Sequence, residues 1–349
     1  MRRPFSYTAP RLDEEVETRE FQELDREKKD EINDDLFGRN VDQTQERNSR
    51  QILQGELDEM EAAVEAIPLA DRIGHSMATI HCPDLLETET DPRLFLIRED
   101  FDPFKAASRL VEYWNLRVEI FGDERAFLPM TLDGALYGDS SLIQMISHFP
   151  NFRTFLPNDS HGRTVILSAP SCDAEEFNVF DCNTWMRYIW YNVHIALRRP
   201  STILRGIVYI FVGSPHFNLD LFDRIKQKML VRSTLCFPVT IRAVHYLSLN
   251  HTLQSLILPV VKFFMNQELR QRIVHHIVST PEEIVDSAKA CLPDYGIPVE
   301  NIPTILGGDY ELNLNWLQDE FEFEFEEQQQ NNNSTHAYGA PLASDELSI

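Results

Sequence analysis

Residues 241–277 constrain the fold of this 349-residue chain more than any other stretch. Ile241–Leu249 reads as a strand, Thr252–Phe264 as an apolar helix and Arg272–Val278 as a second strand. Within the helix, Leu253, Leu256, Ile257, Leu258, Val260, Val261, Phe263 and Phe264 leave almost no polar face. Such a helix is either buried on every side or in contact with something apolar that is not protein.

The same alternation extends in both directions. Asn158–Gly162 is a turn leading into a strand at Arg163–Ser168, and Asn183–Leu197 is an aromatic-rich helix that stops before Pro200. Ile203–Val212 is apolar on both faces around Gly206, as a central strand of a covered sheet is. Leu219–Val231 reads as a helix with a basic outer face, and Thr280, Pro281 and Glu283 open another in the form of a capping box. Strands alternating with helices predict an α/β fold: a mainly parallel sheet flanked by helices and joined by right-handed crossovers.

Upstream, Leu53, Leu57, Met60, Val64 and Ile67 recur at helical spacing. A second helix starts at Asp102 and Pro103 and keeps an apolar stripe until Gly122. The resulting division is a disordered acidic segment over 1–41, a small N-terminal helical bundle over 42–135, the α/β domain over 136–318, and a disordered tail over 319–349 that is first acidic and then rich in Gln and Asn. Phe321, Phe323 and Phe325 alternate with glutamates, a pattern that an added edge strand would share.

A net charge of −24 excludes nucleic acid as a partner, because phosphate binding needs a basic surface. It also opposes simple electrostatic docking on anionic membranes. Basic residues gather instead between Arg187 and Arg272. Five cysteines without CxxC spacing fit free thiols in a reducing compartment. The two arginines near the start have no apolar run behind them, and no uninterrupted apolar stretch reaches the roughly 18 to 20 residues of a membrane span. The expectation is a soluble cytoplasmic protein, peripheral at membranes.

Catalytic signatures are missing: there is no GxSxG, GxxxxGK[ST], HExxH or GxGxxG. His275 and His276 are adjacent on a strand and point to opposite faces, so with His245 they make a poor metal set. Asp220 and Asp223 fit a solvated helix start, and Cys236 fits a core thiol. No catalytic residue, metal or cofactor is expected, and the chain reads as a non-enzyme.

Several motifs together carry a resemblance. Phe95–Asp102 with Lys105, Trp114 and Arg117, then Asp159–Val165, Phe237-Pro238, Ala243–Leu249, Lys262–Met265, Arg272–Val278, Ile302-Pro303 and Gly307-Gly308 resemble, in order and interval, the CRAL-TRIO lipid-binding family over roughly Leu94–Leu312. The resemblance implies a hydrophobic pocket floored by the sheet and gated by one apolar helix at Thr252–Phe264. The implied ligand-facing positions are Arg205, Ile207, Tyr209, Val239, Arg242, Tyr246 and Arg272. The implied gate positions are Leu253, Leu256, Ile257, Val260, Val261, Phe263 and Phe264. Members that transfer phosphatidylinositol carry an acid where Val239 stands and a lysine where Arg272 stands, so the positive member is kept and the acid lost. The Ser/Thr pair that serves choline lipids falls near Arg205 and Ile207 and is absent.

The implied function is to bind a phospholipid or an isoprenoid-type lipid and to transfer or present it between membranes, touching their surfaces transiently. Each buried CH2 contributes about 0.8 kcal/mol, so a chain of about 16 carbons offers on the order of 12 kcal/mol that only a dry cavity can match. The alternative is a non-transporting scaffold that recruits a protein partner through its acidic tails.

Overall fold

The computed structural model describes residues 14–148, 152–169, 180–213, 224–248 and 262–326, apart from 264, 314, 317, 321 and 325. Among these residues a five-stranded sheet runs in the order β1 (Phe152–Leu156), β2 (Thr164–Ser168), β3 (Ile207–Val212), β4 (Ile241–Ser248) and β5 (Ile273–Ile277). β1 pairs antiparallel with β2, and every later pairing is parallel. This is the expected α/β architecture, a mainly parallel sheet flanked by helices and preceded by helices.

The N-terminal helices are α1 (Glu14–Glu23), α2 (Arg26–Phe37), α3 (Val41–Asn48), α4 (Gln54–Ala66), α5 (Ile73–His81), α6 (Pro83–Thr88), α7 (Pro92–Arg98) and α8 (Pro103–Phe121). α8 begins as its sequence requires: the Asp102 carboxylate accepts from the amides of Phe104 and Lys105, each at 3.0 Å, and Pro103 takes the first turn. Gly122 ends it at φ +73. Its buried face, including Leu110, Tyr113, Trp114 and Arg117, forms the centre on which α4, α5 and α7 pack.

Downstream follow α9 (Ser140–His148), α10 (Cys182–Leu197), α11 (Pro200–Arg205), α12 (Arg224–Cys236), α13 (Gln267–Arg270) and α14 (Pro281–Cys291). The sheet separates two cores. Ile166, Ile207 and Tyr209 join one core with α8 and α10, while Val165, Leu167, Val208, Ile210 and Leu247 join another with Ile284 and Ala288 of α14. The first core is continuous from Met60 to Val239, with α8 packed against α10 and α12.

The structure differs from expectation at several places. Residues 14–41 are not disordered: α1 and α2 form, and Ile32 and Asp35 are buried. The cause is tertiary, since the local composition is polar and the carboxylates find arginines that lie far along the chain. Residues 319–320 and 322–324, expected in the tail, are helical, and Glu324 is buried, accepting from Leu132 N at 2.8 Å and from Arg198 Nη2 at 2.9 Å. The strand expected from Ile203 starts only at Ile207, because Pro200 opens α11 and Gly206 turns the chain at φ +85. A Cβ at Gly206 would lie 2.6 Å from the Thr240 carbonyl. β1 had no sequence counterpart. The helix expected over Leu219–Val231 is found as α12, and residues 214–223 lie outside the described ones.

Candidate functional site

Strand register aligns Ser168 with Phe211, Phe211 with Tyr246, and Tyr246 with His275. Partners across a ladder share a face, so these four side chains form one row across β2 to β5. Ile166, Tyr209 and Val244 form the next row on that face. The rings are continuous: Tyr209 lies 5.7 Å from Phe211, Phe211 stacks with Tyr246 at 6.2 Å, and Tyr246 meets His275 edge-on at 5.6 Å.

Burial governs the chemistry of this row. It raises the Tyr246 phenol well above its ordinary range. It pushes His275 down to about 4, helped by Lys262 and His276, so the ring is neutral at neutral pH and shares a hydrogen bond with Ser248 Oγ at 2.8 Å. Two buried polar side chains of the surrounding core, Ser168 Oγ and the Asn192 amide of α10, have no hydrogen-bond partner among the described residues.

Beside the start of β4 and β5 lies a shallow cleft lined by Arg98, Val239, Ile241, Asn266, Glu268 and Arg272. Glu268 of α13 brings its carboxylate within 3.7 Å of Arg98 and 3.8 Å of Arg272. Burial opposes ionisation of Glu268, but Arg98 and Arg272, with Lys28 and Arg109 beyond them, outweigh it and hold the carboxyl below its usual range. Arg98 also donates from Nε to the Val239 carbonyl at 3.0 Å. Arg109 bonds Glu99 through Nε at 2.5 Å.

The seven ligand-facing positions expected from sequence therefore fall in three places. Val239 and Arg272 meet in the cleft. Ile207, Tyr209 and Tyr246 stand on the aromatic face, with Ile207 and Tyr209 buried. Arg205, which ends α11 just before β3, donates to the His161 carbonyl at 2.5 Å, and Arg242, at the amino end of β4, pairs with Asp35 at 2.7 Å. With Arg163 and Arg272 they make a row of guanidinium groups along one end of β2 to β5. Of the gate positions, Phe263 is 45% exposed, and Leu253, Leu256, Ile257, Val260, Val261 and Phe264 lie outside the described residues.

Sequence reasoning missed Arg98, Glu268 and Asp35 as parts of this region. Glu268 had a legible signal, four residues before Arg272 in a short helix capped by Asn266. Asp35 had none, because its partners lie far away in sequence. His245 Nδ1 lies 3.2 Å from His276 Nε2 on the face opposite His275, as strand alternation requires. Among the described residues no cluster of three or more His, Cys, Asp or Glu side chains could hold a metal, and no helix is long and apolar enough to cross a membrane. Cys236 is a buried core thiol whose ionisation burial opposes, and Asp220 and Asp223 lie outside the described residues.

No protein-family model and no curated protein matches the chain. Among solved structures, the crystal structure of Sfh5 is similar at a TM-score of 0.45 and 10% identity, covering 79% of this chain and 99% of that one. That identity is too low to carry a residue or an activity across.

Proposed function

We propose that this protein binds one hydrophobic lipid, a phospholipid or an isoprenoid-type molecule, against the aromatic face of its sheet and transfers or presents it between membranes. The observation that carries this reading is the row Ser168, Phe211, Tyr246 and His275: an uncharged, largely aromatic floor in which Ser168 Oγ has no hydrogen-bond partner among the described residues. Such a floor accepts hydrocarbon and one or two polar atoms. The apolar stretch Thr252–Phe264 follows directly in sequence.

Arg98 and Arg272 at the cleft suit an acidic headgroup, with Glu268 accepting from headgroup hydroxyls. The protein works in the cytoplasm and meets membrane surfaces only transiently. A scaffold acting through free acidic tails is less favoured, because Glu17, Glu20, Asp35, Glu320 and Glu324 are already engaged by cations of the same chain.

Mass spectrometry of organic extracts of the purified protein tests the reading, together with uptake of labelled lipid from vesicles. Recovery of a stoichiometric lipid is expected. Absence of any extracted lipid, with no uptake, would falsify the proposal.

A further inference from the structure

The helices α1 and α2 lie over the cationic end of the sheet and over the segment that leads into β5. Glu17 pairs with Lys262 at 2.7 Å and Glu20 with Arg270 at 2.7 Å. The Glu20 carbonyl also accepts from Gln267 Nε2 at 3.2 Å. Glu31 reaches Arg272 at 3.2 Å, while the Asp35 carboxylate bridges Arg272 at 2.5 Å and Arg242 at 2.7 Å. The Asp35 carbonyl accepts from Arg163.

Arg272 belongs to the cleft and to these contacts at once. Its Nε and Nη2 donate to Asp35, Nη2 also to Glu31, and Nη1 to the Glu268 carbonyl at 2.9 Å. All three of its nitrogens thus have a protein acceptor. Carboxylate and phosphate present the same paired oxygens to a guanidinium fork, so they compete for it directly. A net-negative phosphate in the cleft gains the Nε and Nη2 side of Arg272 only where Asp35 and Glu31 withdraw.

The helix that carries those two acids is held chiefly by its ion pairs. α2 has 12 residues, near or below the length at which an isolated helix holds together in water, and its buried side chains are Ile32 and Asp35. Leu36 packs on the second core, and Phe37 stacks on Tyr295 at 4.8 Å. Once the ion pairs are lost, little keeps the helix folded or docked.

We propose that residues 14–37 are an intramolecular acidic strap, and that the strap and a net-negative phosphate group in the cleft exclude each other from Arg272. This rests on the lipid-binding reading of the cleft and adds a regulation to it. Because coupling is reciprocal, phosphate binding loosens the strap by the same factor by which the strap weakens phosphate binding.

Hydrogen exchange on the full chain tests the proposal, with amides of 26–37 followed against those of 103–121 as an internal reference. The probes are phosphatidylcholine vesicles, phosphatidylcholine vesicles containing phosphatidylinositol, and inorganic phosphate against chloride at equal ionic strength. Uptake of labelled lipid is measured in the same samples. Phosphatidylinositol vesicles are expected to speed exchange over 26–37 about tenfold while the reference is unchanged. Phosphatidylcholine alone, whose headgroup carries its own counter-charge, is expected to have no such effect.

An equal effect of inorganic phosphate supports the competition and assigns it to the free anion rather than to a headgroup. The double variant Glu17→Gln/Glu20→Gln loosens the outer half of the strap without stripping the buried arginines. It should raise phosphatidylinositol uptake about threefold over phosphatidylcholine uptake. Unchanged exchange while phosphatidylinositol is taken up overturns the strap and leaves the lipid reading intact. Equal acceleration by phosphatidylcholine also overturns it, and unchanged exchange with no uptake of any lipid fells both proposals.

Discussion

Asp35 and Arg272 are 237 residues apart in sequence, yet Asp35 Oδ2 lies 2.5 Å from Arg272 Nη2 and 2.9 Å from Nε, with both side chains buried. Removing one member of a buried pair leaves the other charge uncompensated, which costs far more than the net worth of the pair. Here one carboxylate serves Arg272 and Arg242 together. Asp35→Asn is therefore expected to lower unfolding stability by about 3–5 kcal/mol. Glu31→Gln, at a side chain 46% exposed, should cost under about 1 kcal/mol. Urea denaturation of the two variants side by side checks this, and equal costs would contradict it.

His194 and His245 set an acid limit. His194 Nε2 lies 2.6 Å from the Tyr113 hydroxyl, and burial pushes its pKa from 6.5 down to about 4, with Glu89 opposing and Arg117 and Arg198 assisting. Burial, then His276 and Arg163, pushes His245 down to about 3. Between these values and about 6.5 the unfolded chain binds more protons than the folded protein, so stability rises with pH in that window and falls on acidification. Each histidine should contribute about 1.4 kcal/mol per pH unit once pH is well below 6.5. Denaturation midpoints across that range measure the slope, and His194→Gln should make it shallower.

The aromatic row should separate ring from hydroxyl. A buried aromatic ring contributes about 1.5–3 kcal/mol to an apolar contact, so Tyr246→Ala is expected to weaken lipid uptake about tenfold or more. Tyr246→Phe keeps the stacking with Phe211 and the edge contact with His275, and should stay within about twofold of the native protein. Uptake from labelled vesicles, with melting temperatures to confirm folding, decides the matter. Loss in both variants alike would assign the role to the hydroxyl instead.

The C-terminal acidic stretch should be structural as far as residue 324. The Glu324 carboxylate accepts from Leu132 N, Arg198 and Tyr191, the last at 3.2 Å, and is buried. Glu324→Gln removes the more buried of the two carboxylates that pair with Arg198 and should cost about 1–3 kcal/mol. Thermal unfolding of that variant beside Glu322→Gln, at an exposed position, should show a clear drop only for the first.

Local pattern was enough for the elements that carry their own signals. Asp102 with Pro103 announced α8, Thr280 with Glu283 announced α14, and the apolar alternation of 241–248 announced β4, because caps and strand periodicity act between residues close in sequence. Val239 and Arg272, singled out from sequence, both line the cleft. What no window of residues could reveal was the fate of the charges. Asp35, Glu320 and Glu324 read as solvated acid, and they pair with arginines far along the chain, at strand and helix ends. A carboxylate's preference for water or for a buried guanidinium is a difference of two large terms, and only the folded positions of Arg163, Arg198, Arg242 and Arg272 decide its sign.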